Sequence, residues 1–422
     1  MNNKLRHNNL ISSIFEIKGN PKACLFTEPL WGIPYNLYIP FATVYMYALG
    51  VRDEQIGLLL TIGMLLQVLS AIFGGVITDK FGRRRVTFIV DVACWSVPCL
   101  IWTFSQNFWW FLVAAIFNSL FQITSISWQC LLVEDCDPKQ LVNVYTWVNV
   151  AGLLAVFFAP LSVLIISKTS LVTAVRVLYA FAFLSMSAKF IILYLFSTET
   201  EQGKKRMEET KHQSIWSLLV GYREVFHKLF TSREMMLVLA IFVLVNISSI
   251  TINNFFSLYI TEDLGVPDKY VALLPIGRAA IMLLFVFIFQ SRINMFEFKP
   301  VLLCGLLVYI ASHVILLMAR TNCSYLIIGY VILEAVAFAL IMPRRDSLGA
   351  LFIDRGDRAR VMSVIFVIML AISSPFGTVI GWLSSINRQY PFILNIAIFA
   401  VTAIIVTTSK AKVQQDESES VV

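Results

Sequence analysis

The stretch Gly74 to Arg85, GGVITDKFGRRR, sets one carboxylate beside four cations within an apolar sequence. A carboxylate such as Asp79 can accept hydrogen bonds from the free N–H groups at a helix N-terminus. Arginines bind carboxylates and phosphates through several donors at once. Gly82 allows the backbone a tight turn between two helices. These residue types therefore predict charged contacts at helix ends.

A second pair with chemical potential lies within apolar runs, namely Arg278 and Glu334. Ionisable side chains at membrane depth are costly and usually functional. Each residue lies about ten positions into its run, so a helical rise of about 1.5 Å per residue puts both at similar depth. They are expected to pair with each other, to bind a charged substrate, or to couple to protons. A static ion pair that stabilises its surroundings is the alternative.

Amides and aromatic rings supply further candidates for a solute site. Midspan amides need polar partners, and aromatic faces suit polar organic molecules or lipophilic cations. The candidates for a substrate or proton site, besides the charged pair, are Tyr35, Asn118, Gln122, Asn246 and Asn253. Three other polar residues are expected to be structural: Asp91 meeting Arg83 to Arg85, Lys189 extending its amine to the membrane surface, and His313 packing in a core.

The elements that position these residues must lie in a membrane. Of the 422 residues, 58% are hydrophobic and only 14% are charged, against about 25% charged in soluble domains. Apolar runs of about 20 residues span a bilayer as helices. We predict twelve such spans: 28–49, 55–79, 86–104, 108–130, 141–166, 171–196, 235–260, 268–290, 300–319, 324–342, 360–381 and 390–408.

Lysine and arginine set the orientation of these spans. With both termini inside, the inner segments hold 25 of these cations and the outer segments hold 6. Both termini are therefore expected in the cytoplasm, and the positive net charge needs no nucleic acid to explain it. The seven cysteines show no close pairing that would indicate a metal site.

Polar segments divide the chain into an N-terminal segment (1–27), a six-helix lobe (28–196), a linker (197–234), a second six-helix lobe (235–408) and a tail (409–422). Amphipathic helices are predicted near 215–230 and, before the first span, over 10–17. The charged stretch 198–213 is expected to be mobile. LGVRDEQIGLL at 49–59 matches LGVPDKYVALL at 264–274, and LLVEDCDPKQL at 131–141 parallels ALFIDRGDRAR at 350–360. These matches indicate the parallel repeat of a two-lobed transporter.

GGVITDKFGRRR closely resembles the signature G-x-x-x-D-[RK]-x-G-R-[RK]-[RK] between the second and third spans of the major facilitator superfamily, with a nearest likeness to bacterial members. The resemblance covers essentially the whole chain and implies an all-α membrane fold of twelve helices in two six-helix lobes. Its motif falls on Gly75, Asp79, Lys80, Gly82, Arg83, Arg84 and Arg85.

The resemblance further implies a conformational latch. Asp79 would meet the start of the eleventh span, near 357–361, and Gly75 would let helices approach closely. One arginine would reach the acidic pair Glu134–Asp135. Service as simple topological anchors is the alternative for the arginines.

These features predict a secondary active transporter of a small organic solute in the plasma membrane, working by alternating access as a monomer among membrane lipids. Coupling to a proton or sodium ion stays open. A multidrug or metabolite efflux antiporter, and a non-transporting sensor or scramblase on the same fold, are the alternatives. No cofactor, metal or catalytic residue is expected, because the sequence has no nucleotide-binding glycine loop and no Cys/His metal set.

Overall fold

A computed structural model describes residues 17–136, 141–214, 230–271, 273–293, 298–320, 324–352 and 358–408. Within these ranges every regular element is helical. The α-helices are α1 (Gly19–Thr27), α2 (Pro29–Tyr38), α3 (Ala42–Ala48), α4 (Asp53–Phe81), α5 (Arg83–Asp91), α6 (Val97–Phe104), α7 (Phe108–Asn118), α8 (Phe121–Val133), α9 (Leu141–Val156), α10 (Pro160–Ile166), α11 (Leu171–Phe196), α12 (Glu201–Thr210), α13 (Arg233–Glu262), α14 (Leu273–Ile293), α15 (Phe298–Met318), α16 (Ser324–Phe352), α17 (Arg358–Ile386) and α18 (Tyr390–Thr408).

Nine helical segments of the described residues are long and apolar enough to cross a membrane. They correspond to nine of the twelve predicted spans. The fifth and eighth predicted spans contain shorter apolar segments, at Val150–Ile166 and Leu273–Met282. Large apolar side chains such as Trp109 and Leu195 remain exposed on these helices, which is what a lipid-facing surface requires.

Two of the predicted spans, the first (28–49) and the fifth (141–166), are divided into shorter helices at prolines. The first span is divided into α2, a 3-10 turn at Ile39–Phe41 and α3. Pro29, Pro34 and Pro40 each remove a backbone N–H that a continuous helix would use. The fifth span is interrupted before Pro160 in the same way. The fourth is interrupted between Asn118 and Phe121.

Helices α5 and α6 are joined by a π-helical turn at Val92–Ser96. Such a turn inserts an extra residue into the helix and alters its backbone hydrogen bonds. The side-chain amide of Asn118 donates to the Cys94 carbonyl oxygen at 2.9 Å. Asp91 is the last residue of α5 before this turn.

The chain forms two compact units with boundaries that differ from the predicted lobes. The first unit comprises residues up to Phe41 together with 69–219, and the second comprises 42–68 together with residues from 220 onward. Residues 42–68, which the prediction assigns to the N-terminal lobe (28–196), are grouped with the second unit. Helix α4 contributes its first half to the second unit and its second half to the first.

Glycines explain why the first half of α4 packs in the second unit. A Cβ atom on Gly57 would lie 2.4 Å from the carbonyl oxygen of Gly377 and 2.8 Å from Cα of Gly381. The backbones of α4 and α17 therefore touch at this point, which only small residues permit. The Thr61 hydroxyl adds a hydrogen bond to the carbonyl oxygen of Ser374 at 2.8 Å.

The repeated LGV triplets adopt similar turns after a helix. Gly50 and Gly265 both have a positive φ, at 81° and 69°. The N–H of Val51 donates back to the Met46 carbonyl at 3.0 Å, and that of Val266 donates to the Ile260 carbonyl at 2.9 Å. Glycine is favoured there because a side chain is strained at such φ values. The second repeated segment lies partly outside the described residues.

The linker contains more order than predicted. The expected mobility of 198–213 is wrong for 201–210, which form helix α12 with Thr200 as its N-cap. Thr200 accepts a hydrogen bond from the Gly203 N–H at 2.9 Å, which satisfies one free donor of the first turn. The amphipathic helix predicted near 215–230 lies almost entirely outside the described residues, as do 1–16 and the tail 409–422.

Candidate functional site

The Gly74–Arg85 stretch surrounds the turn between α4 and α5. Gly82 has a φ of 87°, a value that a residue with a side chain rarely adopts. A Cβ atom here would also lie 2.6 Å from a carboxylate oxygen of Glu199. Glycine is thus required at this position both by the backbone and by the neighbouring linker.

Asp79 lies at the centre of a charged network on the first unit. Its carboxylate pairs with Arg83 at 3.0 Å and with Arg206 of α12 at 3.0 Å. Arg83 is buried and also pairs with Glu134 at 3.0 Å. Glu209 and Asp79 together raise the pKa of the Arg206 guanidinium. Of the predicted neighbour of Asp79 near 357–361, the structure describes the backbone from Arg358 onward and none of the side chains.

Glu199 caps the N-terminus of α5 from the linker. Its two carboxylate oxygens accept the backbone N–H groups of Arg83 at 2.9 Å and Arg84 at 3.1 Å. These are donors that a helix leaves without partners in its first turn, and the helix dipole favours a negative charge there. Side chains of the linker therefore contact both the backbone and the side chains of the Gly74–Arg85 stretch.

The other latch candidates take different positions. The Lys80 amine donates to the Gln213 carbonyl at 2.8 Å, and Arg84 lies over the Tyr194 ring at 4.1 Å. Arg85 is exposed. Asp135 accepts hydrogen bonds from the Asn20 amide and the Glu201 N–H, each at 3.3 Å.

The close approach that was predicted at Gly75 is instead found one residue earlier. A Cβ atom on Gly75 would meet nothing within 4 Å among the described residues. On Gly74 it would lie 2.9 Å from the Ile126 side chain and 3.2 Å from Cα of Ile123. Gly74 therefore permits the contact between α4 and α8.

Arg278 and Glu334 form an ion pair inside the second unit, with Nη2 and Oε1 separated by 2.8 Å. The Glu334 side chain is 3% exposed and that of Arg278 is 25% exposed. The Tyr309 hydroxyl donates to the same Glu334 oxygen at 3.3 Å, and the guanidinium lies 4.5 Å from the Phe338 ring centroid. A buried carboxylate thus faces a cation that keeps part of its surface accessible.

The uncharged candidates do not converge on one site. Tyr35 stacks on Trp31 with ring centroids 4.8 Å apart, and the Asn118 amide is engaged by the π-helical turn. Gln122 is half-buried and Asn253 is exposed. The amide nitrogen of Asn246 is buried and finds no hydrogen-bond partner in the described part of the chain.

Sequence reasoning missed a second charged cluster, which lies in the first unit. Lys189 does not extend to the membrane surface: it is 5% exposed and pairs with Glu28 at 2.9 Å. Asp91 accepts from the Thr124 hydroxyl at 2.7 Å rather than from Arg83 to Arg85. The sequence did contain a signal for this pair. Glu28 begins the predicted span 28–49, which contains no lysine or arginine, so a cationic partner had to come from another span.

His313 is buried as expected for a structural residue. Its Nδ1 atom lies 3.0 Å from the Tyr309 carbonyl oxygen, and its Nε2 atom lies 3.3 Å from the Asn395 amide nitrogen. The ring also stacks on Tyr309. His313 thereby supports the tyrosine that contacts Glu334.

The second unit also contains a polar cavity of about 580 Å³ near the start of α4. Arg388 lines this cavity and pairs with Asp53 at 3.1 Å and with Asp263 at 2.9 Å. Asp53 in turn accepts from the Ser384 hydroxyl at 2.6 Å. Although partial burial acts to lower the pKa of Arg388, its hydrogen bonds to Asp263, Tyr47 and Asp53 raise it overall.

Comparisons with known proteins agree on one family. The sequence profile of the Major Facilitator Superfamily matches residues 32–294, which is more than half of the chain. The uncharacterized MFS-type transporter YqjV of Bacillus subtilis (strain 168) is 28% identical over 130 residues. That match covers 30% of this chain and 31% of YqjV, so it spans about a third of the relative's length.

Solved structures with the same fold match nearly the full chain. A crystal structure of the nucleoside transporter NupG has a TM-score of 0.72 at 12% identity and covers 92% of this chain and 99% of its own. A bacterial homolog of the human lysosomal transporter Spinster, in an inward-facing and unoccupied conformation, has a TM-score of 0.70 at 14% identity, covering 94% and 96%.

At such low identity these structures show the fold and leave the substrate open. The fold of the superfamily is all-α, with twelve membrane helices in two lobes, as predicted from the sequence. This protein belongs to the Major Facilitator Superfamily of membrane transporters.

Proposed function

We propose that this protein is a secondary active transporter that carries a small organic solute by alternating access. We place it in the plasma membrane as a monomer with both termini in the cytoplasm. The orientation is supported by the 25 inner and 6 outer cations of the predicted topology. Family membership and the helical architecture support transport over an enzymatic role.

The observation that carries the proposal is the ion pair between Arg278 and Glu334. Removing two charges from water is costly, and a buried pair is weak evidence for stability alone. The retention of such a pair among apolar helices therefore favours a role in binding or coupling. Arg278 keeps a quarter of its side chain exposed, so an anionic group of a solute can reach it.

The contacts of this pair support a mechanism in which protonation of Glu334 frees Arg278 to bind the solute. When Glu334 is ionised, it holds the guanidinium of Arg278 at 2.8 Å. Protonation of Glu334 would remove this partner and leave the cation free for a carboxylate or phosphate of the solute, which arginine binds through two donors. The Tyr309 hydroxyl, which contacts the same oxygen, holds the carboxyl group in place.

The test is a ligand screen followed by flux measurement. Thermal shift of the purified protein against sugars, amino acids, organic anions and lipophilic cations would identify ligands, since about 100 Kd of a ligand stabilises by about 2.7 kcal/mol. Hits are then repeated in Glu334→Gln and Arg278→Ala, with the exposed Arg320→Ala as matched control. Solute flux in proteoliposomes follows for each hit.

An organic-anion or polar hit that both variants lose, with flux in the wild type, is the expected result. A lipophilic-cation hit lost only in Glu334→Gln would favour the alternative of an efflux antiporter. Ligand binding and flux that survive both substitutions would overturn the assignment of this pair. Absence of solute flux together with flipping of lipid probes would replace the transporter by a scramblase.

We further propose that Asp79 takes part in a conformational latch, as the family resemblance implies. Among the described residues, Arg206 of the linker contributes one of the two ion pairs of Asp79, so any other partner would share this carboxylate with the linker or replace it. The linker helix α12 is therefore part of the latch, which the sequence motif alone did not indicate.

A further inference from the structure

A tyrosine hydroxyl beside the Arg278–Glu334 pair has no hydrogen bond of its own. Tyr330 is 2% exposed, and its hydroxyl oxygen is buried without a hydrogen-bond partner among the described residues. Tyr330 and Glu334 are one helical turn apart on α16, and side chains with that spacing share a helix face. The hydroxyl also interacts electrostatically with both charges of the pair. An unpaired donor therefore lies on the helix face that carries the buried carboxylate.

The neighbouring Tyr309 on α15 is buried as well, but its hydroxyl is paired. It donates to Glu334 at 3.3 Å. The Tyr309 ring stacks on His313 with centroids 5.0 Å apart, and the edge of the Tyr330 ring meets His313 at 5.6 Å. These ring contacts fix both tyrosines in place. Since buried hydroxyls normally have partners, the Tyr330 hydroxyl is the donor that this packing leaves for a ligand.

Part of the surroundings of the pair is accessible. Arg278 keeps 25% of its side chain exposed, and a charged side chain within a membrane helix faces the bundle interior or water rather than lipid. A Cβ atom on the adjacent Gly277 would meet nothing within 4 Å among the described residues. The Phe338 ring lies 4.5 Å from the guanidinium, the Phe256 ring lies 5.0 Å from that of Tyr330, and both phenylalanines are half-buried. The accessible part thus presents a cation and two aromatic rings.

The charges favour one class of ligand. The described groups that interact electrostatically with Arg278 are Glu334, Tyr309 and Tyr330, so Arg278 is the one cation among them. Once Glu334 is protonated, as the proposed function requires, that cation balances one negative charge. A carboxylate supplies one charge and two acceptor oxygens, which suit a guanidinium and a phenol together. A phosphate monoester carries about −1.5 to −2 charges at about pH 7 and would leave negative charge unpaired.

We propose that Tyr330 donates a hydrogen bond to a solute carboxylate held by Arg278, and that the solute is a monocarboxylate with an aromatic body. Phe256 and Phe338 pack against that body, since aromatic rings favour stacked or edge-on contacts. This inference rests on the proposed function, because it assigns a substrate class and a specificity-determining residue to the Arg278–Glu334 site.

The substrate class is tested by isothermal titration calorimetry of the purified wild type in lipid nanodiscs at about pH 7. The probes are benzoate, phenylacetate and indoleacetate, each with its carboxamide, together with acetate and phenyl phosphate. We expect at least one aromatic carboxylate to bind about tenfold or more tightly than its carboxamide, acetate and phenyl phosphate. Equal affinity for any of these three, or no binding by any aromatic carboxylate, would overturn the substrate class. This comparison needs no variant.

The role of the tyrosine is tested by Tyr330→Phe, which removes only the hydroxyl. The bound carboxylate loses a charge-assisted hydrogen bond, so its Kd should rise about tenfold or more. Without ligand the variant should unfold at the same or a higher temperature, because the hydroxyl that it removes has no partner. Tyr38→Phe, at an equally buried tyrosine of the first unit, is the matched control and should leave the Kd unchanged. An unchanged Kd in Tyr330→Phe, or a lower unfolding temperature without ligand, would overturn the role of Tyr330.

Binding is measured without flux, so failure of this inference is distinct from failure of the proposed function. Solute flux in a protein that binds no carboxylate would overturn the carboxylate site and leave the transporter standing. Carboxylate binding that depends on Tyr330, in a protein with no solute flux, would support the site and contradict the transport proposal.

Discussion

At the scale of single residues, Asp79 is the carboxylate of the Gly74–Arg85 stretch and takes part in two ion pairs among the described residues. Its carboxylate joins the buried Arg83 to the linker residue Arg206. Asp79→Asn keeps the shape and removes the charge, so both ion pairs weaken. We expect a severalfold loss of solute flux in proteoliposomes while membrane insertion and the size-exclusion profile stay normal.

The matched control for this variant is Glu208→Gln, which removes an exposed carboxylate from α12. It should transport like the wild type. Unchanged flux in Asp79→Asn would contradict the latch, and loss of insertion would make Asp79 a structural residue.

The Arg278–Glu334 pair allows a prediction about stability. Glu334→Leu leaves a cation near the interior without its partner, and breaking a buried pair costs about 3–5 kcal/mol. Replacing both residues by apolar ones, as in Arg278→Met with Glu334→Leu, removes the uncompensated charge and should recover most of that loss. Thermal unfolding of the purified variants measures both changes.

The contrast between single and double variants is what tests the pair. A double variant whose loss equals the sum of the two single losses would show that the residues do not interact energetically. We expect the double variant to recover stability without recovering solute flux. This result would separate the energetic cost of burying the two charges from their role in transport.

At the scale of the helices, hydropathy predicted most spans because lipid demands about 20 apolar residues in each. Hydropathy did not predict where a local feature of the backbone, such as a proline, interrupts a helix. Pro40 lies in the 3-10 turn that divides the first span, although the residues around it are apolar. The pairing of Lys189 with Glu28 escaped prediction because residues 161 positions apart meet only in three dimensions. For Arg278 and Glu334, by contrast, similar depth along two helices made pairing one of the expected outcomes.

The linker helix α12 was missed because its sequence is charged throughout. It has no apolar stripe, and its order comes from contacts with the first unit rather than from a core. Thr200 caps it, and the Arg206 side chain holds it to Asp79. Composition alone therefore predicted a mobile stretch. The helix is stabilised by contacts with charged partners that composition does not reveal.

Gly203 offers a test of how the linker helix α12 packs against the Gly74–Arg85 stretch. A Cβ atom at this position would come into conflict with Glu199, and would lie 2.8 Å from the Thr200 hydroxyl and 2.9 Å from the Arg83 side chain. Gly203→Val should therefore push α12 away from the motif and expose its amides. Hydrogen exchange over 201–210 should become faster than in the wild type, whereas the matched variant Gln202→Val, at an exposed position, should not change it. Equal exchange in Gly203→Val would show that the linker does not depend on this contact.

At the scale of the whole molecule, the boundary between the two units runs through a single helix. Residues 42–68 belong to the second unit, although they come from the predicted N-terminal lobe. The contacts responsible are the glycine approach around Gly57 and the ion pair of Asp53 with Arg388. Both lie towards the end of the protein that the topology predicts to face outward.

Gly57→Val tests whether this packing stabilises the second unit. Its side chain would meet the Gly377 carbonyl oxygen, at 2.4 Å from Cβ, and the backbone of Gly381. Because both neighbours are backbone, they cannot rotate away, and forcing extra methyl groups into such a site costs about 1–3 kcal/mol. A loss of that size lowers the unfolding temperature of a unit of about 150–250 residues by about 2–4 °C per kcal/mol. Gly63→Val on the same helix, where a Cβ atom meets nothing within 4 Å, is the matched control and should unfold like the wild type. Equal unfolding temperatures for Gly57→Val and Gly63→Val would mean that α4 and α17 separate without cost at this point, and that other contacts, such as the Asp53–Arg388 pair and the Thr61 hydrogen bond, hold residues 42–68 in the second unit.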